Sequence, residues 1–541
     1  MSVVVGRSKV VTKQGIVATS QPLASQAGAQ VLARGGNAVD AAIAANAVLG
    51  VVEPQSNGIG GDLFAIVSEP DGSLHGLNAG GWAPAALAPA GLRAQGFAEM
   101  PLTGIHSVTV PGAVAGWAAL NERLGRLPLS DLLAAAVFYA RDGFPVSEVI
   151  AGVWAGLADK VAAHREAART YLPAGRPPRA GEVFRNAALA DSLQRIADAG
   201  PKGFYGGETA DAIVALSRDL GGTMTADDLS EYEPEWVTPI STTYRGWTVY
   251  ELPPNTQGIA ALMMLNLMEQ FPLADYGFHS SAALHTMIEA KKLAYADMIA
   301  CVGDPAFATI PVPAMLDKAH ARERARLIDP AVAAERVEPS AFAGLTNSMV
   351  GDTVYLCAID KDGTIVSLIQ SIFQGFGSAL VPTQTGFALH NRGGLFTMQD
   401  GHPNVVAPRK RPLHTIIPAF MQKDALRIGF GIMGAFNQAQ AHAQFVANIA
   451  DYGMDIQQAL EAGRFTKATF TGTDVSIEAL VPESAREELS ALGHALEVVP
   501  PRTGTFGHGQ AVMADGDVHY GASEPRHDGA AIPEAAPLRL A

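Results

Sequence analysis

Cysteine is nearly absent from this sequence, which has only Cys301 and Cys357 among its 541 residues. Two cysteines cannot form a disulfide scaffold, and both lie in apolar runs, so we expect buried thiols. Apolar residues make up 48% of the chain and charged residues 17%, which is the balance of a globular protein. A chain of this length can bury a large core, so its stability requires neither disulfides nor a structural metal.

Positive charge is also scarce. The chain has 38 Lys and Arg against 53 Asp and Glu, a net charge of −15. A nucleic-acid surface needs clustered Lys and Arg, so we expect no nucleic-acid partner. No run approaches 18 apolar residues, so no membrane span is expected. Residues 1–7 contain no apolar segment of signal-peptide length, and this predicts a cytoplasmic protein.

The common metal and serine-hydrolase motifs are missing as well. His390, His402, His414 and His442 are scattered, and none has HExxH or Cys/His ligand spacing. The chain also lacks a Gly-x-Ser-x-Gly nucleophile elbow. The sequence therefore predicts no metal and no cofactor, and we expect His442 to be a packed or capping histidine.

What the sequence does contain is a hydroxyl residue at the start of a well-marked strand. Thr353 follows a Gly-Asp pair and opens an apolar run that ends at residues 360–363, a hairpin turn signal. If the turn glycine is left-handed, Asp360 pairs with Thr364, and counting back along both strands sets Thr353 opposite Ser371. Were the bond before Thr353 cut, its new α-amino group could act as the base for its own hydroxyl.

An α-amino group has a suitable pKa for a general base. The pKa of an α-amino group is about 7.7–8.0, so part of it is unprotonated at cellular pH and can accept the hydroxyl proton. Ser371 would hold the amine and the hydroxyl in register. The alternative for both residues is an ordinary strand position, because hydroxyl residues are common in β-strands.

Hydrophobic periodicity predicts the surrounding elements. It predicts helices at residues 25–33, 37–49, 132–141, 148–168, 187–199, 258–270, 281–298, 438–450 and 456–462. It predicts a strand pair at 63–69 and 74–78 and an exposed loop at 339–351. Asn37 is the expected N-cap of the second helix.

Several short segments, taken in order along the chain, match the signatures of one family. They are residues 35–42, 51–54, 58–62, 110–116, 253–258, 352–363, 376–378, 411–413 and 521–526. With them the chain resembles the γ-glutamyltransferase family of N-terminal-nucleophile hydrolases over nearly its whole length. In that family the proenzyme cuts itself before a threonine that corresponds to Thr353. The resemblance implies an α/β fold, a four-layer α/β/β/α sandwich, in which residues 1–352 and 353–541 build one composite domain.

The resemblance also implies an oxyanion hole. The family has a Gly-Gly pair where this chain has Gly434 and Ala435, just before a helix, and backbone amides at a helix start are suitable donors. The same stretch contains Gly429-x-Gly431-x-x-Gly434, which matches a dinucleotide-binding fingerprint. That alternative requires a following strand with an acidic end, and residues 456–462 read as helix instead.

The positions that grip the γ-glutamyl group differ from the family pattern. Gly80 stands where the family has Arg, Leu395 where it has an acidic residue, and a paired serine motif is replaced by His414 and Thr415. The remaining residues of the predicted substrate site are Phe373, Asn391 and Arg392. In these features the chain resembles the acylase and oxamate amidohydrolase branch. We expect Arg392 and His414 to bind a substrate carboxylate, although Arg392 could instead pair with a carboxylate of the protein.

The predicted function is therefore a self-processing amidohydrolase that forms an acyl-enzyme on Thr353 and acts on a small amide that is not γ-glutamyl. Two alternatives remain open from the sequence. One is a glutathione hydrolase or γ-glutamyltransferase that binds its substrate through different residues, and the other is a non-catalytic binding relative. The expected partners are the small-molecule substrate and the two fragments of the chain, with a homodimer of that pair as a further possibility.

Overall fold

The computed structural model describes residues 6–340 and 352–536. Its strands are β1 Val10–Thr12, β2 Ile16–Thr19, β3 Asp62–Ser68, β4 Leu74–Ala79, β5 Phe144–Pro145, β6 Val183–Phe184, β7 Glu235–Val237, β8 Ile240–Tyr244, β9 Trp247–Glu251, β10 Asp352–Ile359, β11 Ile365–Phe373, β12 Ala419–Lys423, β13 Leu426–Ile432, β14 Phe465–Thr466, β15 Asp474–Glu478, β16 Ala495–Val499, β17 Gly509–Asp515, β18 Val518–Ser523 and β19 Ala530–Pro533.

The α-helices follow in the same order. They are α1 Pro22–Ala33, α2 Ala38–Val52, α3 Pro89–Ala94, α4 Ala113–Leu124, α5 Leu129–Asp142, α6 Glu148–Gly156, α7 Ala158–Ala162, α8 Arg165–Tyr171, α9 Ala187–Ala199, α10 Lys202–Tyr205, α11 Gly207–Asp219, α12 Ala226–Ser230, α13 Gly258–Met268, α14 Leu273–Tyr276, α15 Ser281–Cys301, α16 Val312–Met315, α17 Lys318–Ala325, α18 Asn437–Ala450, α19 Ile456–Glu461 and α20 Glu483–Ala491. Turns of 3-10 helix lie at Ile105–Ser107, Pro173–Gly175, Arg392–Leu395 and Gly504–Phe506.

Two seven-stranded sheets lie at the centre of the molecule. The first has the order β19-β2-β10-β11-β3-β4-β7, and the second has the order β1-β18-β17-β13-β12-β9-β8. Their facing sides enclose a core that includes Phe64, Tyr355, Ile369, Phe420 and Val512. Because side chains alternate along a strand, the intervening residues face the helices on the outside.

Helices cover both outer faces, which completes the predicted four-layer α/β/β/α sandwich. Helices α1, α2 and α4 pack on the first sheet and α13 and α18 on the second, while α5 packs on α2 and α15 on α13. Helix α2 begins where predicted, because the Asn37 side chain accepts from the Asp40 N–H while the Asp40 carboxylate accepts from the Asn37 N–H. This capping box satisfies two backbone donors at the helix start.

The predicted hairpin is confirmed, and it carries the candidate nucleophile. Gly363 has a φ of +91°, and the Asp360 N–H donates to the Thr364 carbonyl at 3.1 Å. The register then runs from Ile359 opposite Ile365 to Val354 opposite Gln370, as counted from the sequence. Both strands belong to the central part of the first sheet.

The predicted helix at 148–168 is wrong, because the structure has three short helices there, α6, α7 and α8. Gly156 ends the first of them, and glycine is among the weakest helix formers. His164 then adopts an extended conformation, with φ −123° and ψ 121°, before the third helix.

The predicted loop at 339–351 lies outside the described residues from 341 onward. No helix in the described part of the chain has both the length and the apolar content needed to cross a bilayer.

Candidate active site

Thr353 and Ser371 meet at one end of the first sheet, here called the Thr353 end. The Thr353 hydroxyl donates to Ser371 Oγ at 3.0 Å, and the Phe373 N–H donates to the same oxygen at 2.7 Å. Both hydroxyl residues are buried. The register of β10 and β11 is irregular between Asp352 and Val354, and such a bulge redirects a side chain. The local geometry therefore holds one hydroxyl at a strand start against another.

The second sheet contributes its own strand end at the same place. Ile365 of β11 lies against Gly429 of β13, and two residues further along Ser367 Oγ donates to the Phe430 carbonyl at 3.3 Å. The two strands therefore run in the same direction across the core. Gly431 near the end of β13 packs on the ring of Tyr355, so β13 ends toward the Thr353 end.

The segment that follows β13 is a tight turn. Gly434 has a φ of +132° and Ala435 a φ of +49°, a left-handed conformation that costs roughly 1–2 kcal/mol for a residue with a Cβ. Gln257 Nε2 donates to the Ala435 carbonyl at 2.7 Å, and the Asn437 N–H donates to the Gly434 carbonyl at 2.8 Å. Helix α18 begins immediately afterwards, so the turn can direct backbone amides toward an anion.

The dinucleotide alternative for this stretch is wrong. Strand β13 pairs antiparallel with both β12 and β17, whereas the dinucleotide motif requires a parallel βαβ unit. Gly429 lies inside β13, where an added Cβ would be 2.6 Å from a methyl group of Ile365. Gly431 is packed in the same way against the ring of Tyr355. These glycines allow the two sheets to approach each other.

Asp62 forms the centre of a buried charged group on the other side of Ser371. It starts β3 directly opposite Ser371 in the register of β3 and β11. Its Oδ2 lies 2.9 Å from His390 Nδ1 and 3.0 Å from His414 Nε2, and its Oδ1 accepts from the Gly81 N–H at 2.8 Å. Asp62, His390, His414 and Arg392 are all 0% exposed, and together they are called the Asp62 group.

Hydrogen bonding defines the protonation of this group. His414 donates through Nε2 to Asp62 and accepts at Nδ1 from the Ile416 N–H, and burial lowers its pKa to about 3, so it is neutral. His390 lies between two oxygen groups, with Nε2 2.8 Å from the Thr109 carbonyl and Nδ1 2.9 Å from Asp62 Oδ2. Burial raises the pKa of Asp62, but the contacts with His390 and His414 outweigh it and hold that pKa well below its usual range.

Arg392 has N–H donors that form no hydrogen bond with the described residues. Its Nη1 donates to Thr415 Oγ1 at 2.7 Å, its Nε lies 3.7 Å from Asp62 Oδ2, and its guanidinium lies 4.5 Å from the centre of the Phe373 ring. Within the described residues, Nε and Nη2 have no hydrogen-bond partner. Burial lowers the pKa of Arg392 to about 9, so it is charged at neutral pH. Asp62 and Arg392 therefore carry opposite charges within the Asp62 group.

The other residues predicted for substrate binding have structural contacts of their own. Asn391 Nδ2 donates to the Leu102 carbonyl at 2.7 Å and to Gln374 Oε1 at 2.8 Å, which braces the loop that carries Arg392. Phe373 has a φ of +76°, a strained conformation for a residue with a side chain. Such strain is often found at functional sites, and here it places the Phe373 ring beside Arg392.

Gly80, where the family has an arginine, also lies beside this group. An added Cβ at Gly80 would be 2.9 Å from the Phe64 ring and 3.5 Å from His414 Cδ2. His414 and Phe64 pack against each other with ring centres 4.5 Å apart. The space toward which a side chain at position 80 would point is thus filled, and the arginine of the Asp62 group, Arg392, comes from another loop.

Sequence reasoning missed the roles of Asp62 and His390. Residues 62, 390 and 414 are far apart in the chain, so no spacing rule could associate them. The available signal was Asp62 itself, an ionisable residue at the head of an otherwise apolar strand. The prediction for His442 is confirmed, because it is a packed histidine that contacts Glu251 Oε1 at 2.8 Å and accepts from the Ile432 N–H at 3.0 Å.

One set of side chains in the described part of the chain could offer three ligand atoms to a metal, namely His285, Glu289 and His494. However, Lys292 Nζ already lies 2.7 Å from Glu289 Oε1, and His285 Nδ1 lies 2.8 Å from His494 Nε2. The three side chains are therefore already engaged in an ion pair and a hydrogen bond within the protein.

Known proteins share this architecture. The sandwich is that of the N-terminal-nucleophile hydrolases, and the crystal structure of cephalosporin acylase from Bacillus halodurans matches it with a TM-score of 0.92 and 41% identity over 98% of both chains. The Gamma-glutamyltranspeptidase family profile matches residues 24–534. The chain is 35% identical over 532 residues to the Glutathione hydrolase-like YwrD proenzyme of Bacillus subtilis, covering 97% of this chain and 99% of that protein.

The oxamate amidohydrolase proenzyme of Klebsiella pneumoniae is 32% identical over 536 residues, covering 97% of this chain and 99% of that protein. The chain belongs to the γ-glutamyltranspeptidase family. It is an enzyme of the hydrolase and acyltransferase type found in that family, and its reaction is the cleavage of an amide.

Proposed function

We propose that the chain cuts itself between Asp352 and Thr353 and that Thr353 then acts as the nucleophile of an amidohydrolase. The observation that carries this proposal is the contact between the Thr353 and Ser371 hydroxyls at the head of β10, at 3.0 Å. Two of the relatives named above are proenzymes, which supports processing. The expected products are fragments 1–352 and 353–541.

The chemistry uses the new terminus as a base. The free α-amine of Thr353 takes the proton of its hydroxyl, Oγ forms a bond with the substrate carbonyl carbon, and the amide C–N bond breaks. The departing nitrogen takes up the proton. Backbone amides at Gly434 and Ala435 stabilise the oxyanion, and water then cleaves the ester, releasing the acid and restoring the hydroxyl.

The acyl group is expected to carry a single carboxylate. Arg392 has two N–H donors, at Nε and Nη2, without partners among the described residues, and burying unpaired donors costs roughly 1–3 kcal/mol each. A carboxylate would accept both at once in the side-on geometry that arginine favours.

A γ-glutamyl substrate fits this site poorly. Its head group has an ammonium as well as a carboxylate, and the ammonium would need an acceptor beside Arg392. Asp62 is the carboxylate of this group, and its oxygens are already taken by the Gly81 N–H and the two imidazoles. We therefore propose a small amide with an anionic acyl group that has no α-amine.

Two measurements test the proposal. Intact-mass analysis should find fragments that end at Asp352 and begin at Thr353, and a new terminus elsewhere would overturn the nucleophile assignment. A hydrolysis screen over γ-glutamyl, oxamyl, glutaryl and aryl amides should favour amides with a lone carboxylate. Efficient turnover of glutathione would instead support the second candidate, a glutathione hydrolase with a different grip, which the glutathione hydrolase-like relative favours.

A further inference from the structure

Thr353 has a second side that the acyl group does not use. In the first sheet β10 lies between β11, which leads to the Asp62 group, and β2. Strand β2 ends at Thr19, which pairs with Leu356, so Ser20 lies at the Thr353 end. An amide has two halves, the acyl group and the amine. If the acyl group extends toward Asp62, the amine extends toward β2.

The second sheet faces this side with polar residues. Val512 of β17 is part of the core between the sheets, so Gln510, two residues earlier, points into the same space. Gln510 pairs with Gly431, which packs on Tyr355, and its other cross-strand partner is Ser523. Gln510 and Ser523 therefore lie at the level of the first residues of β10.

Two histidines connect the sheets at this end. The rings of His508 and His527 have centres 4.4 Å apart, and His527 Nδ1 contacts the Ser20 carbonyl at 2.9 Å. Ser20 Oγ in turn donates to Glu53 Oε1 at 2.7 Å. The residues His508, His527, Gln510 and Ser523 are called the His508 side.

The polar atoms on this side are unsatisfied. His508 Nε2, both side-chain atoms of the Gln510 amide, Ser523 Oγ and the neighbouring Asp528 Oδ2 are buried without a hydrogen-bond partner in the described ranges. Buried polar groups in native proteins are almost always paired, so such a set indicates a bound polar group. Atoms able to accept a hydrogen bond predominate, and this set therefore suits a ligand that brings N–H donors.

We propose that the His508 side is the subsite for the leaving amine, with His508 accepting a hydrogen bond from its N–H. The inference rests on the acyl-enzyme at Thr353 proposed above. As the C–N bond breaks, the nitrogen takes the proton that the Thr353 hydroxyl gave to the α-amine, and it leaves as a free amine whose N–H groups require acceptors. Burial and nearby positive charges hold the pKa of His508 well below its usual value, so its imidazole is neutral and can accept.

The test compares two leaving groups on one acyl group. The probes are the 4-nitroanilide and the 4-nitrophenyl ester of the best acid found in the screen, because only the anilide has an N–H. Since kcat/KM reports formation of the acyl-enzyme, His508→Ala should lower kcat/KM for the anilide about tenfold, the usual effect of losing one such hydrogen bond. The ester should change less than about twofold, since it makes no such bond. His508→Gln keeps an acceptor and should lie between wild type and His508→Ala.

Controls separate the possible failures. His519→Ala removes another buried imidazole of the same sheet at its opposite end and should leave the anilide-to-ester ratio unchanged. Self-cleavage of each variant serves as the check of folding. If the unmodified enzyme forms no acyl adduct on the fragment that begins at Thr353, the proposed function falls, and the subsite with it. If the adduct forms but folded His508 variants lose activity equally on both probes, or on neither, the subsite alone is overturned.

Discussion

The two sides of Thr353 differ in how their polar groups are satisfied. Toward β3, Asp62 accepts from a backbone amide and contacts two imidazoles, and two N–H donors of Arg392 have no partner among the described residues. Toward β2, His508 Nε2, the side-chain amide of Gln510 and Ser523 Oγ have no hydrogen-bond partner in the described structure. In the proposed reaction the first side binds the anionic acyl group and the second the N–H of the amine, so the two sides together would orient the amide.

Thr353→Ala should have the largest effect because it removes the hydroxyl oxygen, the proposed nucleophile, which lies between the two sides. The variant should remain one uncut chain, and amide hydrolysis should fall by roughly 10⁴-fold or more. A denaturing gel and a hydrolysis assay check both expectations. Thr353→Ser keeps the hydroxyl and should still cut at an altered rate. A Thr353→Ala chain that yields fragments 1–352 and 353–541 would show that the nucleophile lies elsewhere.

Asp62→Asn should disrupt the charged side most strongly. It leaves the charge of Arg392 buried without the carboxylate beside it, and breaking such a pair typically costs about 3–5 kcal/mol of unfolding free energy. Denaturant titration measures the loss. Asp360→Asn is the matched control, because that buried carboxylate accepts backbone N–H groups from Ala38, Asp362 and Thr364. A similar loss in both variants would mean that the charges around Asp62 contribute little.

Arg392→Ala should affect the charged side without affecting self-cleavage. We expect KM for an amide with an anionic acyl group to rise about 10- to 100-fold, the cost of losing a paired charge. KM for the corresponding methyl ester of the acyl carboxylate should hardly change. Arg427→Ala provides a control, since Arg427 binds the Gly363 carbonyl at the turn end of the sandwich, away from Thr353. Unchanged KM in Arg392→Ala would assign this arginine a structural role only.

Acid should destabilise both sides gradually. Histidines whose folded pKa is lowered, such as His414 to about 3, stay neutral while the unfolded chain takes up protons below about pH 6.5. Stability is therefore lost as pH falls from about 6.5 toward 3. His414→Gln should make this loss shallower by up to about 1.4 kcal/mol per pH unit, and His508→Gln should act in the same direction. Denaturant titrations across this range measure the slope, and an unchanged slope would mean that His414 is already charged in the folded protein.

Local signals predicted the parts of the site that are close in sequence. The Asp-Lys-Asp-Gly turn was enough to place Thr353 opposite Ser371, because hairpin register depends on the turn between the strands. Asn37 predicted the start of α2 for the same reason, since a helix cap is a local contact. The helix predicted at 148–168 was wrong, because three consecutive short helices have the same apolar periodicity as one long helix.

The convergence of Asp62, His390 and His414 could not be read from the sequence, because it depends on how three distant segments pack. Arg392 illustrates the limit. The sequence left open whether it binds a substrate carboxylate or pairs with one from the protein. In the structure its Nε lies 3.7 Å from Asp62 Oδ2, and two of its N–H donors have no partner among the described residues. Arg392 is therefore close to a carboxylate of the protein and can also donate to one from a substrate.

The alternation of strands from the two segments governs how the enzyme can be assembled. In the first sheet β10 and β11 lie between β2 and β3, and β19 pairs with β2 on its other edge. Residues 353–541 therefore cannot leave without breaking ladder hydrogen bonds on both sides of their strands. If the chain is cut before Thr353 as proposed, synthesis as one polypeptide guarantees equal amounts of the two segments, and the interleaved strands hinder their exchange afterwards. Expressing the halves from separate genes would forfeit the first of these properties.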